Sequence, residues 1–181
     1  INKAISYFTQ SAKQNNAYAQ YFLGMIYYNG EYVPIDMNKA IYYLTLSAKQ
    51  NNSDAQYMLG IIYYYDEYAL VDINKAIYYL TLSAKQNNSD AQYVLGIIYS
   101  DGKYVPIDID RALYYLNCSS NQNNKYSHCT LGVMYHEGIH VPFDINKALY
   151  YFGLSANQNN AEAQMYIGLI YLIDDNIPHD I

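Results

Sequence analysis

Apolar and polar positions alternate along this chain in two helical patterns that recur together. In residues 37–50, Ala40, Ile41, Leu44, Ser47 and Ala48 fall at i, i+1, i+4, i+7 and i+8, one face of a helix. Tyr43 borders that stripe, and the same place holds Tyr7, Tyr79, Tyr115 and Tyr151. A second pattern follows in residues 53–65, where Ala55, Leu59, Ile62 and Tyr63 form the apolar face. Asn51-Asn52 separates the two, and Asn tolerates the left-handed conformation that ends helices. A second break holds Gly and Pro in most copies, as in Gly30 with Pro34 and Gly102 with Pro106. The second copy has Asp66 and Leu70 there, which predicts a less rigid turn.

Asp36, Asp72, Asp108, Asp144 and Asp180 mark the period: five units of 36 residues, 1–36, 37–72, 73–108, 109–144 and 145–180, with no insertion between them. Residues 38–57 and 74–93 are identical, as a recent internal duplication leaves them. Each Asp stands where an N-cap belongs, its carboxylate placed to accept the free N–H groups of the first turn. One helix pair cannot bury its own apolar face, but stacked pairs share a continuous core. The expected fold is therefore all-α, a solenoid of five helix-turn-helix units forming one domain over 1–181. Gly24, Gly60, Gly96, Gly132 and Gly168 stand in mid-helix, where Gly costs about 1 kcal/mol relative to Ala. That predicts a close approach by a neighbouring helix, over the ring of Tyr43 or its equivalents.

Composition narrows the function classes. The chain of 181 residues is 52% hydrophobic and 17% aromatic, with 26 Tyr, which excludes a disordered chain. No apolar run is long enough to span a membrane. A net charge of -6 argues against a nucleic-acid surface, which needs clustered Lys and Arg. No nucleophile elbow, phosphate loop or pair of catalytic carboxylates occurs, so no catalytic residue and no cofactor is assigned.

The run Lys39-Ala40-x-x-Tyr43-x-x-x-Ser47-Ala48-x-Gln50-Asn51-Asn52-x-x-Ala55-Gln56-x-x-Leu59-Gly60-x-x-Tyr63 resembles the Sel-1-like repeat (SLR), a relative of the tetratricopeptide repeat. The resemblance covers the whole chain. Tyr43 takes the place of the family's usual aromatic, often Trp, and Asn51 that of its usual Gly; the fourth unit departs most, with Arg111, Ser120, Ser127 and Cys129. The resemblance implies a right-handed α/α superhelix used as an adaptor or scaffold for protein complexes, with no single reaction or ligand.

By likeness to tetratricopeptide repeats, the second helices line a concave wall that binds protein or peptide segments. The groove residues are then Tyr18, Tyr21 and Tyr28; Asp54, Tyr57 and Tyr64; Asp90 and Tyr93; Tyr126 and His136; and Glu162. Met25, Ile61, Ile97, Ser100, Cys129, Val133, Met165, Leu169 and Leu172 share that face. Tyr offers large contact area with few rotors. Lys3, Lys13, Lys39, Lys49, Lys75, Lys85, Arg111 and Lys147 all fall on first helices, leaving an acidic, aromatic inner wall suited to an apolar or basic segment. Two solvated faces without a steering role is the other reading of the same charges.

Two rival classes stay open beside the adaptor. One is an enzyme with a metal-dependent, hydrolase-like site in the fourth unit, where Cys118, His128, Cys129, His136, Glu137 and His140 gather without an established ligand spacing; no metal ligand is assigned. The other is a purely structural solenoid that self-associates through its ends. Cys118 and Cys129 are close enough in sequence to pair across the hairpin, but free thiols fit a reducing compartment such as the cytoplasm. Asn51-Asn52-Ser53, Asn87-Asn88-Ser89 and Asn117-Cys118-Ser119 match the glycosylation pattern, as an Asn-rich chain does by chance. The chain begins at Ile1 inside a first helix and ends at Ile181 where another would start, as a piece of a longer protein would.

Overall fold

The computed structural model describes residues 2–65 and 71–173, and among these it contains ten α-helices and no strand. They are α1 (Asn2–Lys13), α2 (Ala17–Asn29), α3 (Met37–Lys49), α4 (Ser53–Tyr65), α5 (Ile73–Lys85), α6 (Ser89–Asp101), α7 (Ile109–Asn121), α8 (Lys125–Glu137), α9 (Ile145–Ala156) and α10 (Ala161–Ile173). Two helices per 36 residues is the expected all-α repeat. Among the described residues, no helix is long and apolar enough to cross a membrane. Asp66, Leu70, Asp180 and Ile181, on which parts of the sequence reading rest, lie outside the described residues.

The capping chemistry follows the sequence closely. The Asp36, Asp72, Asp108 and Asp144 side chains accept the backbone N–H three residues on, as N-caps do. The Asn pairs divide two jobs between them. Asn51 takes the left-handed conformation at φ 62°, and Asn52 Oδ1 then accepts the Ala55 N–H at 2.8 Å, capping α4. Asn15, Asn87, Asn123 and Asn159 repeat the first role, and Asn16, Asn88, Asn124 and Asn160 the second. The helix stop at the first Asn is the one expected; the helix start at the second is set by its side chain. At the other break, Gly30, Gly102 and Gly138 have positive φ of 65–68°, a region costly to a side chain.

The chain divides into two compact units, Ile1–Val94 and Leu95–Ile181, whose boundary falls within α6. In the first unit the tightest partnerships join a second helix to the first helix after it: α2 with α3, and α4 with α5. Gly24 and Gly60 make these approaches possible. A Cβ on Gly24 would stand 2.6 Å from Leu44 Cγ, and one on Gly60 2.5 Å from Leu80 Cγ. The close approach is the one expected, but its partner is corrected: the leucine after the tyrosine fills the notch, not Tyr43 itself. Burying each such leucine contributes about 1.5–3 kcal/mol.

The tyrosines form the next layer of the same seam. Tyr43 stacks on Tyr27 with centroids 6.0 Å apart, and Tyr79 on Tyr63 at 6.1 Å. Lys39 lies 4.9 Å over the Tyr27 ring and pairs with Asp36 at 3.0 Å; Lys75 does the same with Tyr63 and Asp72. At the far end, Ser47 Oγ donates to the Ala17 carbonyl and Gln50 Nε2 to Gln20 Oε1, both at 2.7 Å. Gln20 Nε2 in turn donates to the Ala12 carbonyl, tying α1 to α2.

The second unit uses the same rules. Gly96 receives Leu116 and Gly132 receives Phe152, each 2.6 Å from an ideal Cβ. Tyr99 stacks on Tyr115 and Tyr135 on Tyr151. Gly168, at the same position of α10, has nothing within 4 Å among the described residues.

Candidate binding face

Second helices are short of charge and rich in tyrosine, and each begins at an Asn cap. In the first unit packing brings together positions that neighbour each other only through the stacking. Burial first, and then the charge of Asp54 of α4, raise the phenol of Tyr21 of α2 above its ordinary value. Asp54 also accepts a hydrogen bond from Asn88 Nδ2 at 3.4 Å. Tyr18 is 68% exposed beside them in sequence, and Asp54 and Asp90 are exposed. Tyr21, Tyr28, Tyr57 and Tyr93 are half-buried, with part of each ring committed to the fold. Tyr64 and Ile61 are buried, at 8% and 7% exposure, and offer little to a ligand.

The second unit repeats the pairing with different chemistry. Cys129 occupies the position of Tyr21, and Glu162 that of Asp54. Burial pushes the Cys129 thiol up to about 12, and the charge and hydrogen bond of Glu162 add to the effect. A thiol so held stays protonated and is a poor nucleophile or metal ligand. Tyr126 and Glu162 are exposed. His136 is half-buried, with Nδ1 2.7 Å from Glu137 Oε1 and its ring edge-on to Phe152 and Tyr166.

His128 does structural work. It occupies the Gln20 position, its Nε2 donates to the Ser120 carbonyl at 3.1 Å, and its Nδ1 accepts from Gln158 Nε2 at 3.4 Å. The ring thus replaces the Gln amide in the repeated ladder as the neutral Nε2–H tautomer. Cys118 and Cys129 are free, not bridged. Among the described residues, no three His, Cys, Asp or Glu side chains gather where they could hold a metal ion. Cys129, His128 and His136 each engage a different neighbour, so the fourth unit does not assemble the centre the rival reading required.

Some surface features lay outside the sequence reading. Tyr42, Tyr78, Tyr114 and Tyr150, all on first helices, are more than half exposed, more so than most tyrosines of the expected groove. Each stands one residue before the tyrosine that borders the apolar stripe, in units two to five, and so falls on the open side of its helix.

No curated protein matches the chain. Among solved structures, a protective antigen of uropathogenic Escherichia coli with an SLR fold is 26% identical with a TM-score of 0.86 over 92% of this chain. A Sel1 repeat protein from Oxalobacter formigenes is 30% identical with a TM-score of 0.79 over 93% of it. This chain spans 36% and 49% of those two proteins. Helicobacter pylori cysteine rich protein B, 23% identical, shares the fold over 76% of this chain and 98% of its own, with a TM-score of 0.57. The Sel1 repeat family matches residues 1–16, 17–52, 53–88, 89–124 and 126–160, and from residue 17 on each match opens with a second helix and so keeps a mid-helix Gly and its partner within one repeat. Five successive matches over most of its length make this chain a member of the Sel1 repeat family.

Proposed function

We propose that this chain is a non-enzymatic adaptor that binds apolar or basic protein segments along the faces of its second helices. Sel1 repeats are typically protein–protein interaction scaffolds, and this reading assigns the contact. The pairing of Tyr21 with Asp54 carries it: a half-buried ring of α2 lies within the electrostatic reach of an exposed carboxylate of α4. A half-buried ring has already lost its rotamer freedom, so little ordering cost remains when a segment lies on it. Asp54 and Asp90 supply the charge complement for Lys or Arg on the bound segment.

The test is a titration with a labelled peptide alternating Lys and Leu, set against Gln–Leu and Glu–Leu peptides. Preferential binding of the Lys–Leu peptide is expected, and Tyr57→Ala with Tyr93→Ala should weaken it by about 1–2 kcal/mol or more. Circular dichroism should show the double variant still helical. Unchanged affinity in the folded variant would mean the second-helix face is not the contact.

A further inference from the structure

Apart from Lys3, the cations of the first helices fall into two groups. Lys39, Lys75, Arg111 and Lys147 each lie over a tyrosine ring and pair with the capping Asp three residues before, at 3.0–3.6 Å. They are committed to the seam. Lys13, Lys49 and Lys85 are not. They hold the same position of successive repeats, at the last turns of α1, α3 and α5, all within the first unit. All three are exposed, and among the described residues none is ion-paired. The second unit has Asn121 and Asn157 in those places.

Seven residues before Lys49 and Lys85, two helical turns away and hence on the same face, stand Tyr42 and Tyr78. They are 58% and 57% exposed. Each is braced edge-on against its neighbour, Tyr43 or Tyr79, at 5.1 Å, so the ring is held in place while its outer side stays open. No carboxylate lies within α3 or α5. Among the described residues, the acids that cap their N-terminal ends, Asp36 and Asp72, are already paired. An acidic chain thus carries one local face of fixed aromatic rings and uncommitted ammonium groups.

We propose that this face of α3 and α5, extended by Lys13 of α1, docks an acidic protein segment in which carboxylates alternate with apolar side chains. The carboxylates meet Lys49 and Lys85, and the apolar side chains lie on Tyr42 and Tyr78. Charge complementarity selects the occupant. A nucleic acid fits less well, because three ammonium groups neutralise few phosphates and a net charge of -6 repels a long polyanion. This surface is separate from the second-helix face, and either can fail alone.

The experiment is fluorescence anisotropy on the 181-residue chain with a labelled peptide alternating Glu and Leu, against Gln–Leu and Glu–Gly peptides and a single-stranded oligonucleotide. The Glu–Leu peptide should bind best and weaken as salt rises. Lys49→Glu with Lys85→Glu should cut its affinity at least tenfold, and Lys49→Gln with Lys85→Gln severalfold, in protein whose helicity is unchanged. Tyr42→Ser with Tyr78→Ser should also weaken it severalfold, whereas Tyr57→Ala with Tyr93→Ala should leave it unchanged. Binding of Glu–Leu no tighter than Gln–Leu, survival of binding after charge reversal, or binding of the oligonucleotide alone would each overturn the proposal.

Discussion

Gly60 lies so close to Leu80 that a Cβ on the glycine would stand 2.5 Å from Leu80 Cγ and 2.7 Å from Cδ2. Leu80 is fully buried, so its side chain has nowhere to retreat. Gly60→Ala should therefore destabilise the chain by about 1–3 kcal/mol, as overpacking does, and Gly60→Val by more. Gly168→Ala is the control: nothing among the described residues lies within 4 Å, and Ala is the better helix former by about 1 kcal/mol. Thermal melts should move in opposite directions for the two alanine variants. A common direction would show that the seam is not what requires glycine.

Ser127 is fully buried, and among the described residues its Oγ has no hydrogen-bond partner. The other repeats hold Ala19, Ala55, Ala91 and Ala163 there. An unpaired buried hydroxyl costs about 1–3 kcal/mol. Ser127→Ala should stabilise the fold by about 1 kcal/mol or more, read as a higher urea midpoint with unchanged slope. A lower midpoint would mean that the hydroxyl has found a partner.

The Asp36 and Asp72 carboxyls are held below their ordinary value, first by the N–H groups of Lys39 and Lys75 that they cap and then by the lysine side chains. A depressed carboxyl stabilises the fold above its unfolded pKa, and that contribution is lost as pH falls through the folded one. Stability should thus decline on the acid side of the ordinary Asp value of 3.8. Asp36→Asn with Asp72→Asn keeps a capping oxygen but cannot titrate, so its acid limb should be flatter than the parent's. Parallel pH profiles would remove these caps from the acid response.

Burial holds the His128 imidazole below its ordinary 6.5, against the smaller pull of the Ser120 carbonyl. Its contribution is therefore present above 6.5 and is lost as pH falls through the lowered folded value. His128→Gln restores the side chain of the other repeats and should abolish this mildly acidic loss while leaving neutral-pH stability nearly the same. Melting temperatures across that pH range decide the point. A variant that keeps the full loss would place its origin elsewhere.

Cys129 is buried with its thiol pushed up to about 12, while Cys118 is half-buried. Iodoacetamide should label Cys118 first in the native protein and reach Cys129 only when denaturant is added, as mass spectrometry of the peptides would show. Early labelling of Cys129 would contradict its burial.

Much of this protein was legible in its residues because a repeat states the same local problem several times. Helix count, Asp caps, the Asn left-handed stops and the demand for close approach at glycine all follow from spacing and backbone chemistry within a few residues. Tertiary structure decided what lies across the seam. Leu80 fills the notch rather than Tyr79, because the side chain that points at Gly60 depends on how two helices are rotated against each other. It also decided that Tyr43 stacks inward while Tyr42 stays open, and that Lys39 is spent on Asp36 and Tyr27 while Lys49 is free. Such distinctions between chemically identical side chains arise when helices pack, since the stacking of Tyr43 on Tyr27 and the seat of Lys39 over Tyr27 join residues carried by different helices.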